Sequence, residues 1–137
     1  MLTEDDLRNM SKARLEEAEM LFEAGKYDTA LYLCGYAVEF QIKARIISTL
    51  KWAAWPDKDP DVPKKFRTDN FQIHQLEHLL YLSGRWAQTK ENKPFMASWS
   101  IVAKWDPALC RYRADGTVTK NEAESMIAAS KIVTREI

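Results

Sequence analysis

Glycine, proline, cysteine and histidine are all scarce in this chain, whose 137 residues hold 4 Gly, 5 Pro, 2 Cys and 2 His. So few turn-forming residues argue against an all-β sandwich or barrel, which needs many short connections. Cys34 and Cys110 lie far apart amid apolar neighbours. A disulfide scaffold is therefore excluded, and two buried thiols in a reducing compartment are expected. Long apolar runs are missing too. The longest, Ala30 to Val38, is nine residues, against the roughly 20 that a bilayer span requires, so no membrane-crossing helix is expected. Nor does one sign of charge dominate: 20 Lys+Arg balance 20 Asp+Glu. That balance excludes a strongly basic nucleic-acid binder, and a composition 46% hydrophobic excludes a disordered tail. The start, Met1-Leu2-Thr3-Glu4-Asp5-Asp6, is acidic rather than basic-then-apolar, so the expectation is a cytoplasmic protein without a secretory signal.

What is present is helical periodicity over the length of one domain, residues 1–137. Thr3 reads as an N-cap, with carboxylates in the first turn where they favour the positive end of the helix dipole. Leu7, Met10, Leu15, Ala18, Leu21 and Phe22 follow as one apolar stripe, and Gly25 suits the left-handed residue that ends a helix. Asp28 is placed to cap a second helix running to about Leu50. That helix is apolar nearly all round, as befits a central member of a bundle. One polar strip interrupts it: Tyr32, Tyr36, Glu39 and Lys43 project on the same side.

Residues 51–70, with Pro56, Pro60 and Pro63, read as a long loop. A third helix is expected over about Phe71 to Trp86. Asn92 and Pro94 read as cap and first-turn proline of a fourth helix that carries Trp99. Leu109 to Arg113 leads into the Asp115-Gly116 turn, and Thr119 with Glu122 has the spacing of a capping box opening the last helix. The expected architecture is an all-α, up-and-down bundle of about five helices.

Four groupings bear on chemistry. His74-Gln75-Leu76-Glu77-His78 has the H-x-x-E-H spacing that can bind zinc, but no third ligand is evident, and two surface histidines are the structural alternative. No metal site is therefore assigned. Glu39 and Lys43 are an i,i+4 pair on an apolar helix, so they satisfy each other or line a groove facing a ligand or partner. Arg111 and Arg113 flank Tyr112 ahead of a helix start, an arrangement suited to phosphate or carboxylate, with ordinary surface pairing as the alternative. Arg67 and His74 are separated by six residues. Neither a Ser/His/Asp set nor a glycine-rich phosphate loop is present.

The run Ala24 to Glu39 (AGKYDTALYLCGYAVE), followed by Lys43, resembles the first helical hairpin of prokaryotic HEPN-domain proteins. His74-Gln75-Leu76 is similar to that family's His-x-Leu pattern, and Trp99 with Arg111-Tyr112-Arg113 to its Trp…Arg-Tyr region. The resemblance implies a helical bundle that commonly forms homodimers. It also implies either a ribonuclease, often a toxin of a toxin–antitoxin pair, or an accessory module that partners a nucleotidyltransferase and binds nucleotide or RNA. The family's ribonucleases carry Arg, four to six residues, then His near the last helix. No His follows Arg111 or Arg113 at that spacing, so the imidazole that would move the proton is missing from its usual place.

The expectation is thus a binding or accessory module without a cofactor. Tyr36, Glu39, Lys43, Arg111, Tyr112 and Arg113 are the candidate ligand-binding residues, with the polar strip and the two arginines facing a common cavity. Two alternatives stay open. One is a ribonuclease using Arg67 and His74, or His74 with an arginine of a second subunit; the other is a dimeric scaffold with no ligand.

Overall fold

In a computed structural model describing residues 1–137, the first helix, α1 (Glu4–Glu23), starts where Thr3 and Asp6 cap each other. Thr3 Oγ1 accepts from the Asp6 amide at 3.2 Å and the Thr3 amide donates to Asp6 Oδ2 at 2.9 Å. These bonds to the carboxylate hold the Asp6 pKa below its ordinary value. Gly25 takes a left-handed φ of 75°, which lets the chain turn back at once into α2 (Tyr27–Leu50).

The remaining helices are α3 (Lys64–Asn70), α4 (Leu76–Leu82), α5 (Trp86–Thr89), α6 (Lys93–Val102), α7 (Pro107–Tyr112) and α8 (Lys120–Glu136), with a 3₁₀ turn at Pro56–Lys58. No strand is present. The all-α expectation holds, but the count is eight helices rather than about five. As its all-round apolarity predicts, α2 is the central rod and packs against α1, α4, α7 and α8. A single cluster of 23 buried apolar residues runs through these contacts. Cys34 is buried within it, Cys110 is half-buried, and both thiols are free. No helix is long and apolar enough to cross a membrane.

Several boundaries differ from those expected, each for a local reason. The stretch 51–70 is not one loop: Trp52, Trp55, Phe66 and Phe71 meet edge-on, with ring centroids 5.4 to 6.1 Å apart, and this cluster supports α3 and the 3₁₀ turn. Trp55 Nε1 donates to the Phe71 carbonyl at 3.1 Å. That carbonyl is then no longer committed to a helical bond, and the expected 71–86 helix begins only at Leu76. The same helix ends at Leu82 because Gly84 takes a φ of 74°. Asp106 caps α7 by accepting from the amides of Ala108 (2.8 Å) and Leu109 (3.3 Å), so the arginine segment is a short helix rather than a plain connection.

Asp28 does not cap α2. It lies in that helix's first turn and accepts from the amides of Gly116 (3.1 Å) and Val118 (3.3 Å), fastening the turn ahead of α8 onto the start of α2. Asn92 does cap α6, through Phe95 N at 3.0 Å, and Thr119 caps α8 through Glu122 N at 3.1 Å. At the far end of α8, Arg45 and Arg85 donate to the carbonyls of Ile137 and Glu136 at 2.8 and 3.0 Å, placing cations where the helix dipole is negative.

Candidate functional site

The polar strip of α2 is one face of a continuous row of interacting side chains. Glu39 is 1% exposed and Lys43 8%, so each charge needs a partner, because a buried unpaired charge costs several kcal/mol, on the order of 5. Lys43 Nζ donates to Glu39 Oε1 at 2.7 Å and also sits 5.2 Å from the centre of the Trp55 ring, a cation–π contact with the aromatic cluster. The second partner of Glu39 comes from 35 residues away. His74 Nδ1 lies 2.9 Å from Glu39 Oε2 and 3.1 Å from Oε1. An ionised carboxylate only accepts, so Nδ1 carries the donated hydrogen and the Nε2 edge of the ring is turned away from Glu39. The His74 side chain is 50% exposed.

Tyr36 continues the row. Its ring meets His74 edge-on at 5.9 Å, Trp105 at 5.0 Å and Tyr32 at 5.1 Å, and its hydroxyl lies 3.2 Å from that of Tyr32. Burial, with the neighbouring Tyr32 hydroxyl, pushes the Tyr36 pKa up to about 12. Arg111 stands at the Tyr32 end. Its interaction with the Tyr32 hydroxyl raises the guanidinium pKa above its ordinary value, and its charge also reaches Tyr36. The order along the surface is Arg111, Tyr32, Tyr36, His74, with Glu39 and Lys43 beneath.

The two arginines flanking Tyr112 are not placed together. Arg113 Nε donates to Thr117 Oγ1 at 3.1 Å and its Nη2 lies 3.7 Å from Glu122. With Tyr112, 86% exposed, it lines a separate cleft between α6, α7 and α8. One arginine thus joins the polar strip and the other faces away from it. Arg67 is in α3, its Nε buried without a hydrogen-bond partner.

His74, Glu77 and His78 do not share one helical face, because His74 precedes α4 and is held by Glu39. Glu77 accepts from the Tyr81 hydroxyl at 3.4 Å, while His78 Nε2 is buried without a partner. No group of three or more His, Cys, Asp or Glu side chains is placed to hold a metal ion.

Periodicity along the chain neither pairs His74 with Glu39 nor places Trp105 against Tyr36. A signal for the second contact was available in Gly35, a costly residue inside a long helix. A Cβ there would overlap the Trp105 ring, so glycine is what lets the indole lie on the α2 backbone. Trp105 Nε1 then donates to the Tyr32 carbonyl at 3.1 Å, which sets the position of α7 and of Arg111 relative to the tyrosines.

Chemically, the row offers an imidazole oriented by a buried carboxylate, a guanidinium, and two phenols between them. Such a set can donate to an anion, stack on a planar ring, or move a proton at His74 Nε2. In comparisons with known proteins, the family model described as HEPN domain matches residues 5–54, the segment of α1, α2 and the turn that follows. No curated protein and no solved structure matches the chain.

Proposed function

From the match over residues 5–54, which supports membership of the HEPN-domain family, we propose that this chain is a binding module for nucleotide or RNA. Arg111 and His74 receive phosphate, and Tyr32 and Tyr36 form the surface between them. The observation that carries this reading is the single row in which Tyr36 touches both His74 and Tyr32, its hydroxyl 3.2 Å from that of Tyr32. With zero net charge over the whole chain, attraction for RNA is confined to this patch. The salt dependence of binding is then shallow, a slope of about −0.7 per phosphate contacted.

The test is an NMR titration with 5′-AMP and with a short single-stranded RNA. Resonances of Tyr32, Tyr36, His74 and Arg111 shift together, and Arg111→Ala weakens binding. Shifts elsewhere, or none up to millimolar ligand, leave the dimeric-scaffold alternative in place. A second copy of the chain and a nucleotidyltransferase are the macromolecular partners this reading carries.

The Glu39–His74 contact favours a second reading, metal-independent RNA cleavage with His74 as the proton-transfer group. RNA cut in EDTA by the native chain and left intact by His74→Ala would establish it.

A further inference from the structure

Between α6, α7 and α8 lies a cleft of about 850 Å³, within the roughly 300–1,000 Å³ range of small-molecule sites. Leu31, Trp105 and Met126 form its apolar wall, and Leu109 and Tyr112 stand at its mouth. Trp105 separates it from the tyrosine row, touching Tyr36 with one part of its ring and lining the cleft with another. Because the indole N–H is committed to the Tyr32 carbonyl, Trp105 presents only apolar surface to the cleft.

The charged groups around the opening are unequally engaged. Asp106 is occupied in capping α7, and Glu122 faces Arg113 at a long 3.7 Å. Lys104 makes no ion pair. The mouth therefore offers one free cation and a second whose carboxylate partner is loosely held. At the same mouth, Ile101 (40% exposed), Leu109 (67%) and Tyr112 leave large apolar surface open to water, a pattern that marks binding sites.

We infer that this cleft is a second binding site, taking a small molecule with an aromatic or acyl body and a single negative charge. The body lies on Trp105, Leu31 and Met126, and the anion meets Lys104 and Arg113. The occupant is small because the cleft has the volume of one ligand, and anionic because the only uncommitted charge at its mouth is positive. The cleft shares Trp105 with the Arg111–His74 row but none of that row's polar side chains, so ligand binding at either can fail without the other.

The probe is 1-anilinonaphthalene-8-sulfonate, an aromatic monoanion, followed by its own fluorescence and by quenching of tryptophan. One equivalent binds saturably at micromolar concentration. Ser125→Trp, on the exposed α8 surface lining the cleft, fills the volume and weakens binding about tenfold or more. Lys104→Glu weakens it severalfold, yet leaves binding of the neutral N-phenyl-1-naphthylamine unchanged. Asn121→Trp repeats the filling test at another position should Ser125→Trp unfold, as judged by circular dichroism. Non-saturable binding, or saturable binding that ignores the filling variants, overturns the site. Equal effects of Lys104→Glu on the neutral and anionic probes overturn the assignment of an anion.

Discussion

Trp105 lies directly on the backbone of Gly35 and donates its indole N–H to the Tyr32 carbonyl, three residues earlier on the same helix, at 3.1 Å. A side chain at position 35 would occupy the space of the indole. Gly35→Ala gains up to about 1 kcal/mol of helix propensity, but overpacking against a rigid ring costs about 1–3 kcal/mol. The expected outcome is net destabilisation in urea unfolding, with a shift in tryptophan emission as Trp105 leaves its seat. Because Trp105 also fixes α7 against the tyrosines, the same variant should disturb the resonances of Tyr32, Tyr36 and Arg111. Unchanged emission and stability would mean that the indole does not depend on the missing Cβ.

Removing Glu39 strands two groups at once. Lys43 is nearly as buried as Glu39 and is left with the Trp55 ring as its only specific contact. Glu39→Ala should cost about 3–5 kcal/mol, the usual penalty for breaking one side of a buried pair. A Glu39→Leu/Lys43→Met double variant removes both charges and keeps apolar volume, so it should recover most of that loss. Chemical denaturation of both variants decides the matter. A double variant as unstable as the single one would show that Lys43 escapes to solvent when Glu39 is absent.

The local parts of this molecule were legible in its sequence and the long-range parts were not. Thr3, Gly25, Asn92 and Thr119 act within a few residues of themselves, so their spacing predicted the ends of α1, α6 and α8. The i,i+4 spacing of Glu39 and Lys43 likewise offers their bond as one of its two readings, and the bond forms. The Glu39–His74 contact joins residues 35 apart, and periodicity along one helix carries no information about what an extended segment brings to it. The local pattern over-extends the third helix for a related reason. Nothing local to residues 71–75 reveals that the Phe71 carbonyl is taken by Trp55. Asp28, ahead of an apolar run, has the local signature of a cap, whereas its partners, Gly116 and Val118, come from the other end of the chain. Arg111 and Arg113 looked equivalent in sequence, and only the placement of α7 sends them to different surfaces.

Two acids, the buried Cys34 and the half-buried Tyr36, weaken the fold at high pH. Burial pushes the Cys34 thiol from its ordinary value of 9.0 up to about 12, only partly opposed by the nearby Ser130 hydroxyl, and Tyr36 is raised from 10.0 to about 12. In both cases the fold favours the neutral form, so the unfolded chain binds fewer protons between these values. Stability from these groups is fully present below about pH 9 and is lost as pH rises toward 12. The urea midpoint should therefore hold steady through neutral pH and fall beyond pH 9. Cys34→Ala should flatten the early part of that fall and Tyr36→Phe the later part, whatever their offsets at neutral pH. In the native protein an aromatic disulfide reagent should label Cys110 first and reach Cys34 only on unfolding. Two thiols labelled at equal rates would contradict the burial of Cys34.

The Asp28 carboxylate is the tie between the start of α2 and the turn that leads into α8. It accepts two backbone N–H groups, from Gly116 and Val118, and charge-assisted bonds of this type are stronger than neutral ones. Gly116 takes a φ of 80°, so the turn is already shaped for its conformation, and what Asp28 adds is its position against α2. Asp28→Ala should cost about 1–3 kcal/mol and leave Thr119 still capping α8 through Glu122. Hydrogen exchange separates the two effects. The amides of Gly116 and Val118 should lose protection strongly, while those of α8 beyond Glu122 change only as much as global stability does. Uniform loss along α8 would instead show that the tie holds the whole helix in place. Because Arg113 bonds Thr117 within the same turn, releasing it should also free Arg113 from Glu122, and Asp28→Ala should then alter anion binding in the α6–α7–α8 cleft while leaving the Glu39–His74 contact intact.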